Sequence, residues 1–265
     1  MPIFHLILVA IVQGVTEFLP VSSSGHLILL PNLTGLADQG LVIDVAVHVG
    51  TLGAVILYFR RDVLRAFSGL LKIGDMTNPD ARLALGLIVG TIPVVVAGLL
   101  LKLSGADENL RSIAVVGWTT LVFGVFLYWA DQHGQDTKTA KDWSLKDAVI
   151  MGFWQVLALI PGTSRSGITI TGARSLGYAR EDAARLAMLM SIPTILASGT
   201  LIGFEVANSL DAAAARDSMI AAAFAFFAAL AALHFMMRLL KSVSFTPYVI
   251  YRIALGIVLL AIAYS

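Results

Sequence analysis

The chain has 265 residues, 58% of them hydrophobic and only 13% charged, and a mean hydropathy of +0.85, which excludes a soluble globular domain and a disordered chain alike. Its 18 Lys and Arg nearly balance 17 Asp and Glu, leaving no basic face for nucleic acid. The absence of cysteine excludes disulfides, thiolate metal sites and thiol catalysis. What remains is a polytopic membrane protein, in which each spanning helix needs about 20 apolar residues to cross ~30 Å of hydrocarbon.

In chain order, the N-terminus has neither a basic n-region nor a small-residue cleavage site, so no removable signal peptide is expected. The first apolar run, residues 3–12, is too short to cross and gives way to a polar segment running from Gln13 to His26. Three full crossings follow at 42–59, 83–103 and 113–130. A second short run, 148–160, stops at Pro161-Gly162-Thr163-Ser164-Arg165-Ser166-Gly167, and crossings at 183–204, 219–237 and 248–264 complete the chain. Polar, Pro- and Gly-containing backbone at membrane depth is tolerated only where protein or a polar cavity surrounds it. The two short runs therefore predict two re-entrant helical hairpins beside six transmembrane helices, in an all-α fold.

Charge supplies the orientation. Placing residues 60–82 in the cytoplasm leaves thirteen Lys and Arg in inside loops and only Lys102, Arg111 and Arg216 outside, with both termini periplasmic. Arg165 and Arg252 lie within or beside apolar segments. One integral membrane domain, 1–265, then contains a first repeat at 1–130 and a second at 148–265, joined by a cytoplasmic loop at 131–147. Their hairpins enter from opposite faces, giving an inverted-topology repeat. Aligning Pro20 with Pro161 superposes Ser23 on Ser164, with Gln13 and Gln155 upstream.

Gln13 and Glu17, four residues apart, share a helical face. An ionised Glu at depth costs about 2.5–3.5 kcal/mol on insertion scales, so it needs a cation, a metal or a proton. Arg165 is one candidate, and a simple pin between the hairpins is the plainer reading. Two hard oxygen ligands also suit Mg²⁺ or Ca²⁺ completed by substrate phosphate. The second tip combines small residues, hydroxyls and a guanidinium, which suits an anion. His26, close to Ser22, Ser23, Ser24 and Gly25, can serve as base, acid or nucleophile, while Asp44 and His48 form a second polar stripe that could stand behind the site. The pairs Gly86/Gly90 and Gly199/Gly203 read as close-packing faces, within the chain or in a homodimer.

The run from Gln13 to His26, together with Pro161 to Gly167, closely resembles the undecaprenyl-diphosphate phosphatases of the bacitracin-resistance type, and the span pattern agrees along essentially the whole chain. The resemblance implies a bacterial inner-membrane hydrolase that removes the terminal phosphate of undecaprenyl diphosphate, regenerating the lipid carrier for cell-wall synthesis and conferring bacitracin resistance. It implies a divalent metal at Gln13 and Glu17, position 13 being Gln here where the family motif has Glu or Gln. It also implies roles for Ser23, His26, Ser164, Arg165, Ser166 and Thr169, and action from the periplasmic side. On this basis Ser23 is expected to attack phosphorus with His26 as its base, or His26 to attack itself. Backbone and hydroxyl groups at Ser22, Ser24, Gly25, Gly162, Thr163, Ser164, Ser166, Gly167 and Thr169 would bind phosphate. Because inverted repeats with broken helices are also transporter architecture, a flippase of the phosphorylated carrier is the alternative.

Overall fold

The computed structural model describes residues 2–35, 39–106, 110, 112–206 and 212–265. These fold into helices α1 (Ile3–Phe18), α2 (Ser23–Thr34), α3 (Gly40–Tyr58), α4 (Arg60–Leu70), α5 (Pro79–Ser104), α6 (Ile113–His133), α7 (Leu145–Val156), α8 (Arg165–Ser175), α9 (Arg180–Val206), α10 (Ala212–Leu239) and α11 (Thr246–Tyr264). Among the described residues six helices, α3, α5, α6, α9, α10 and α11, are long and apolar enough to cross a membrane; they overlap all six predicted crossings, with the start of α10 lying seven residues earlier than expected. Arg111, one of the three outward cations in the charge count, lies outside the described residues.

Local chemistry sets the helix ends. Asn78 caps α5 by accepting from the Asp80 and Ala81 N–H groups with Pro79 in the first turn; Ser112 and Ser144 cap α6 and α7 in the same way. The short helices stop where a proline follows. Leu19 before Pro20 and Ile160 before Pro161 are both extended, because the proline ring disfavours the helical region for the residue ahead of it.

Helix α1 packs mainly on α10, and α7 mainly on α5. Each contact is backbone to backbone. A Cβ on Gly14 would fall 2.6 Å from the Ala225 carbonyl oxygen, and one on Gly152 would fall 2.4 Å from that of Gly90, so any larger residue would push the helices apart. The predicted packing role of Gly86 and Gly90 holds within the chain, where they meet Trp143 and Ala148. Gly199 by contrast has nothing within 4 Å. The main core, including Phe18, Met151, Ile170, Leu186, Met188, Leu233 and Phe245, sits where α1, α7, α8, α9, α10 and α11 converge.

Two features were not anticipated in the loops. Residues 60–82 contain α4, held to α9 by a fork in which Arg185 donates to both carboxylate oxygens of Asp62 at 2.9 and 2.5 Å. The loop after α6 is tied to α8 by the fully buried Arg174, which donates to the carbonyls of Asp131 and Tyr178 at 2.9 and 2.6 Å and pairs with Asp136.

Candidate active site

Each short helix pair meets at a tight tip, and the two tips share one backbone. Ser22 and Ser164 both sit in the left-handed region, at φ 74° and 69°. Each caps the helix after it: Ser22 Oγ accepts from the Gly25 N–H at 3.4 Å, and Ser164 Oγ accepts from the Gly167 N–H at 3.2 Å. Each also lies 3.1 Å from a second hydroxyl, Ser24 or Ser166. The structure therefore pairs Ser22 with Ser164, Ser23 with Arg165 and Gln13 with Gln155, one residue away from the proline-based alignment. The slip has a local cause. The second tip holds one more residue between proline and capping serine, and Gly162, at φ 89°, takes up the extra length.

The tips interlock. The Gly162 N–H donates to Ser24 Oγ at 3.2 Å, and Ser166 Oγ donates to the Leu19 carbonyl at 3.0 Å. In the paired register Pro20 stands where Gly162 does. Proline has no N–H to give, so Ser166 acts as donor where its counterpart Ser24 acts as acceptor.

Glu17, at the end of α1 and only 8% exposed, gathers the polar groups of both tips. Arg165 Nη2 donates to its Oε1 at 2.7 Å, Ser23 Oγ donates to its Oε2 at 2.9 Å, and Gln13 Nε2 donates to Oε2 at 2.9 Å. Arg165 thus reaches a carboxylate 148 positions away in the chain. His48 joins from α3: its Nδ1 donates to the Asp44 carbonyl at 2.7 Å, which leaves Nε2 as an acceptor 3.1 Å from Gln13 Nε2. The Asp44 carboxylate accepts from Gln39 at 2.8 Å. The amide of Gln13 is thereby spent on Glu17 and His48, while its Oε1 is buried without a donor, as is Arg165 Nη1 without an acceptor.

His26 is placed differently from the expected serine-histidine couple. Nδ1 donates to the Ser22 carbonyl at 2.7 Å, and the Tyr251 hydroxyl donates to Nε2 at 2.6 Å, with the two rings stacked at 5.5 Å. The group hydrogen-bonded to Ser23 Oγ is Glu17, not His26. The hydroxyls of Ser22, Ser24, Ser164 and Ser166 are engaged in building the tips, and Thr169 Oγ1 donates to the Arg165 carbonyl at 2.8 Å. Thr163 is fully buried with its Oγ1 unpartnered. Gly162 also lies where a Cβ would meet Thr119 Oγ1 at 2.2 Å, so this close approach needs glycine.

A divalent ion fits this donor set in part. The Glu17 carboxylate and the unpartnered Gln13 Oε1 are hard oxygens, although it is the Gln13 Nε2 that faces Glu17. No group of three or more His, Cys, Asp or Glu suited to a metal occurs among the described residues, so most of the ion's shell would have to come from substrate oxygens and water. Sequence reasoning missed two contributors, Tyr251 and Arg252, which lie side by side on α11. The Arg252 signal was available, since a cation inside an apolar span is costly and marks a function; Tyr251 gave none, because tyrosine is ordinary at a membrane interface.

A family model described as bacitracin resistance protein BacA matches residues 6–258. Relatives named undecaprenyl-diphosphatase are 68% identical in Ruegeria pomeroyi and 67% identical in Dinoroseobacter shibae, each across the whole of both chains. Another of that name, from Chromohalobacter salexigens, is 47% identical over 97% of each chain. The chain belongs to the BacA bacitracin-resistance family.

Proposed function

We propose that the chain is an integral-membrane phosphatase that removes the terminal phosphate of undecaprenyl diphosphate, returning the monophosphate carrier to cell-wall synthesis and so conferring bacitracin resistance. One observation carries the reading beyond family membership: a hydroxyl from the first tip and a guanidinium from the second converge on the buried Glu17 carboxylate. Translocation needs no nucleophile, so Ser23 beside a carboxylate favours hydrolysis over a flippase.

The chemistry follows from these groups. Arg165 Nη1, a buried donor with no partner, is free to take a phosphate oxygen, and the planar guanidinium suits a tetrahedral anion. Ser23 Oγ already donates to Glu17 Oε2, so the carboxylate is placed to take its proton. Ser23 Oγ then attacks the terminal phosphorus, and undecaprenyl phosphate leaves. His26, fixed through Nδ1 with Nε2 on Tyr251, delivers or removes a proton in the later attack of water on phosphoserine. The same tautomer leaves Nε2 as the nucleophilic nitrogen, so attack by His26 is the second reading. Acid lability of a trapped phosphoenzyme separates them, because phosphohistidine is acid-labile and phosphoserine is not. Gln13 and Glu17 would hold Mg²⁺ or Ca²⁺, whose charge offsets that of the diphosphate.

The two helix pairs α1–α2 and α7–α8 are read as re-entrant hairpins of an inverted repeat. Their matching tips support this, as does the crosswise packing of α1 on α10 and of α7 on α5. The Lys and Arg distribution supports an inner-membrane protein with periplasmic termini, and family membership supports a site that works from that side. Phosphate release by purified, detergent-solubilised protein, with and without chelator, tests the function. Protein that binds substrate but releases no phosphate would favour transport. Gln13→Glu is expected to remain active with a changed Mg²⁺/Ca²⁺ preference; an unchanged metal profile would remove position 13 from the ligand set.

A further inference from the structure

Arg252 sits in α11 with none of its surface exposed. An arginine at membrane depth costs about 2.5–3.5 kcal/mol on insertion scales and pairs with a carboxylate or with backbone carbonyls. Arg252 takes the second course: among the described residues its hydrogen-bond partners are all backbone carbonyls. Nε donates to Thr120 on α6 at 3.1 Å, Nη1 to Pro20 of the first tip at 3.4 Å, and Nη2 to Gly162 and Thr163 of the second at 3.2 and 2.9 Å. Pro20 and Gly162 are counterparts in the shared backbone, so one guanidinium holds the same carbonyl in both tips.

Two glycines make room for it. A Cβ on Gly167 would lie 2.8 Å from Arg252 Nη1, and one on Gly124 would lie 3.2 Å from its Cβ and 3.4 Å from Nε. A trans peptide holds its C=O and N–H antiparallel. Drawing the Thr163 carbonyl onto Arg252 therefore turns the Ser164 N–H to the opposite side. Charge points the same way as geometry. Glu17 and Arg165 pair with one another, whereas Arg252, among the described residues, is a cation beside the tips held by carbonyls alone, and a diphosphate is an anion it would attract.

We propose that Arg252 is a positioning residue for the phosphate site, one that fixes the spacing of the two tips through their carbonyls and adds a positive charge beside them. This rests on the phosphatase reading above. The two contributions separate by substitution. Arg252→Lys keeps the charge but loses the planar fork that spans both tips; Arg252→Met loses both.

The test measures kcat and KM for undecaprenyl diphosphate, and inhibition by methylenediphosphonate, for purified wild type and variants. Arg252→Lys is expected to lower kcat by about 10²-fold, the cost of a misplacement of about 1 Å, with the diphosphonate inhibition constant little changed. Arg252→Met should show the same loss in kcat and weaken the diphosphonate by about tenfold, as for a lost partly buried charge interaction worth ~1.4 kcal/mol. Gly124→Ala, which crowds the guanidinium without touching its charge, should follow Arg252→Lys in a milder form and decides the matter if Arg252→Met fails to insert. Wild-type kcat in Arg252→Lys and Gly124→Ala would overturn the positioning role. Equal diphosphonate inhibition of Arg252→Lys and Arg252→Met would overturn the electrostatic one. Inactive wild-type protein would instead count against the phosphatase reading itself.

Discussion

In the first tip a serine at positive φ caps α2, and in the second a serine at positive φ caps α8, with capping and hydroxyl–hydroxyl contacts that match residue for residue. The side chains projecting from this shared frame do not match. Where the first tip has Ser23, the second has Arg165; where the first has His26, the second has Ile168; and upstream Glu17 faces Leu159. The backbone is duplicated and the chemistry is divided. One tip brings the acid, hydroxyl and imidazole, and the other brings the cation. A doubled scaffold therefore builds one site, closed by a carboxylate to which Ser23 and Arg165, the counterparts, both donate.

The largest test of that division removes the shared contact. Arg165→Ala is expected to lower phosphate release by about 10³-fold or more, the scale of losing an arginine that stabilises phosphoryl transfer, while the protein still inserts and purifies. Because the counterparts occupy equivalent backbone positions, the exchange Ser23→Arg with Arg165→Ser restores a cation beside Glu17. It should nevertheless stay inactive, since the hydroxyl would then leave the tip that carries His26. Recovery of wild-type turnover by the double variant would mean that the tips are interchangeable, and the divided arrangement would be wrong.

Much of this was legible in the sequence, for identifiable reasons. The six long helices follow from uninterrupted hydropathy, and Glu17, Ser23 and Arg165 stood out because ionisable and nucleophilic groups are rare in such surroundings. Helix α4 was hidden because Arg60, Arg61, Asp62 and Arg65 break the apolar window, although Leu64, Phe67 and Leu71 lie on one face of it. The one-residue slip between the tips was hidden because a proline marks where a helix must stop, not where the next begins, and the left-handed Gly162 absorbs the difference. The expected pairing of His26 with Ser23 assumed that nearness in sequence beyond Pro20 becomes contact. The imidazole is instead drawn to Tyr251, 225 positions away, a long-range partner that no local pattern encodes.

The shared frame predicts equal costs where the chemistry differs. Ser22→Ala and Ser164→Ala each lose a helix cap, about 1 kcal/mol, while the new residue keeps a left-handed backbone that disfavours a side chain. Glycine at either position should be milder, because relief of φ strain offsets much of the lost cap. In detergent, thermal unfolding midpoints should fall by about 2–4 °C for each alanine variant and by less for each glycine variant. A loss confined to one tip would show that only that serine holds its backbone in place.

The smallest effect belongs to the support of the second tip alone, which the first lacks. Asp147, in the first turn of α7 and outside the six long helices, accepts from the Tyr178 hydroxyl at 2.6 Å and from Lys138 Nζ at 3.1 Å. Burial works against its charged form, but the hydrogen bonds from Tyr178 and Lys138 outweigh it and hold the carboxyl below its ordinary range. A carboxyl depressed on folding contributes stability that is present above its unfolded value and lost as pH falls through the folded one. Lowering the pH from neutrality through the carboxylate range should thus destabilise the wild type more than Asp147→Asn, whose midpoint lacks this dependence. Because half-exposed Lys138 screens part of the interaction, the difference should be slight. Parallel curves for the two proteins would show that the α7 support is held by packing around Tyr178 rather than by charge.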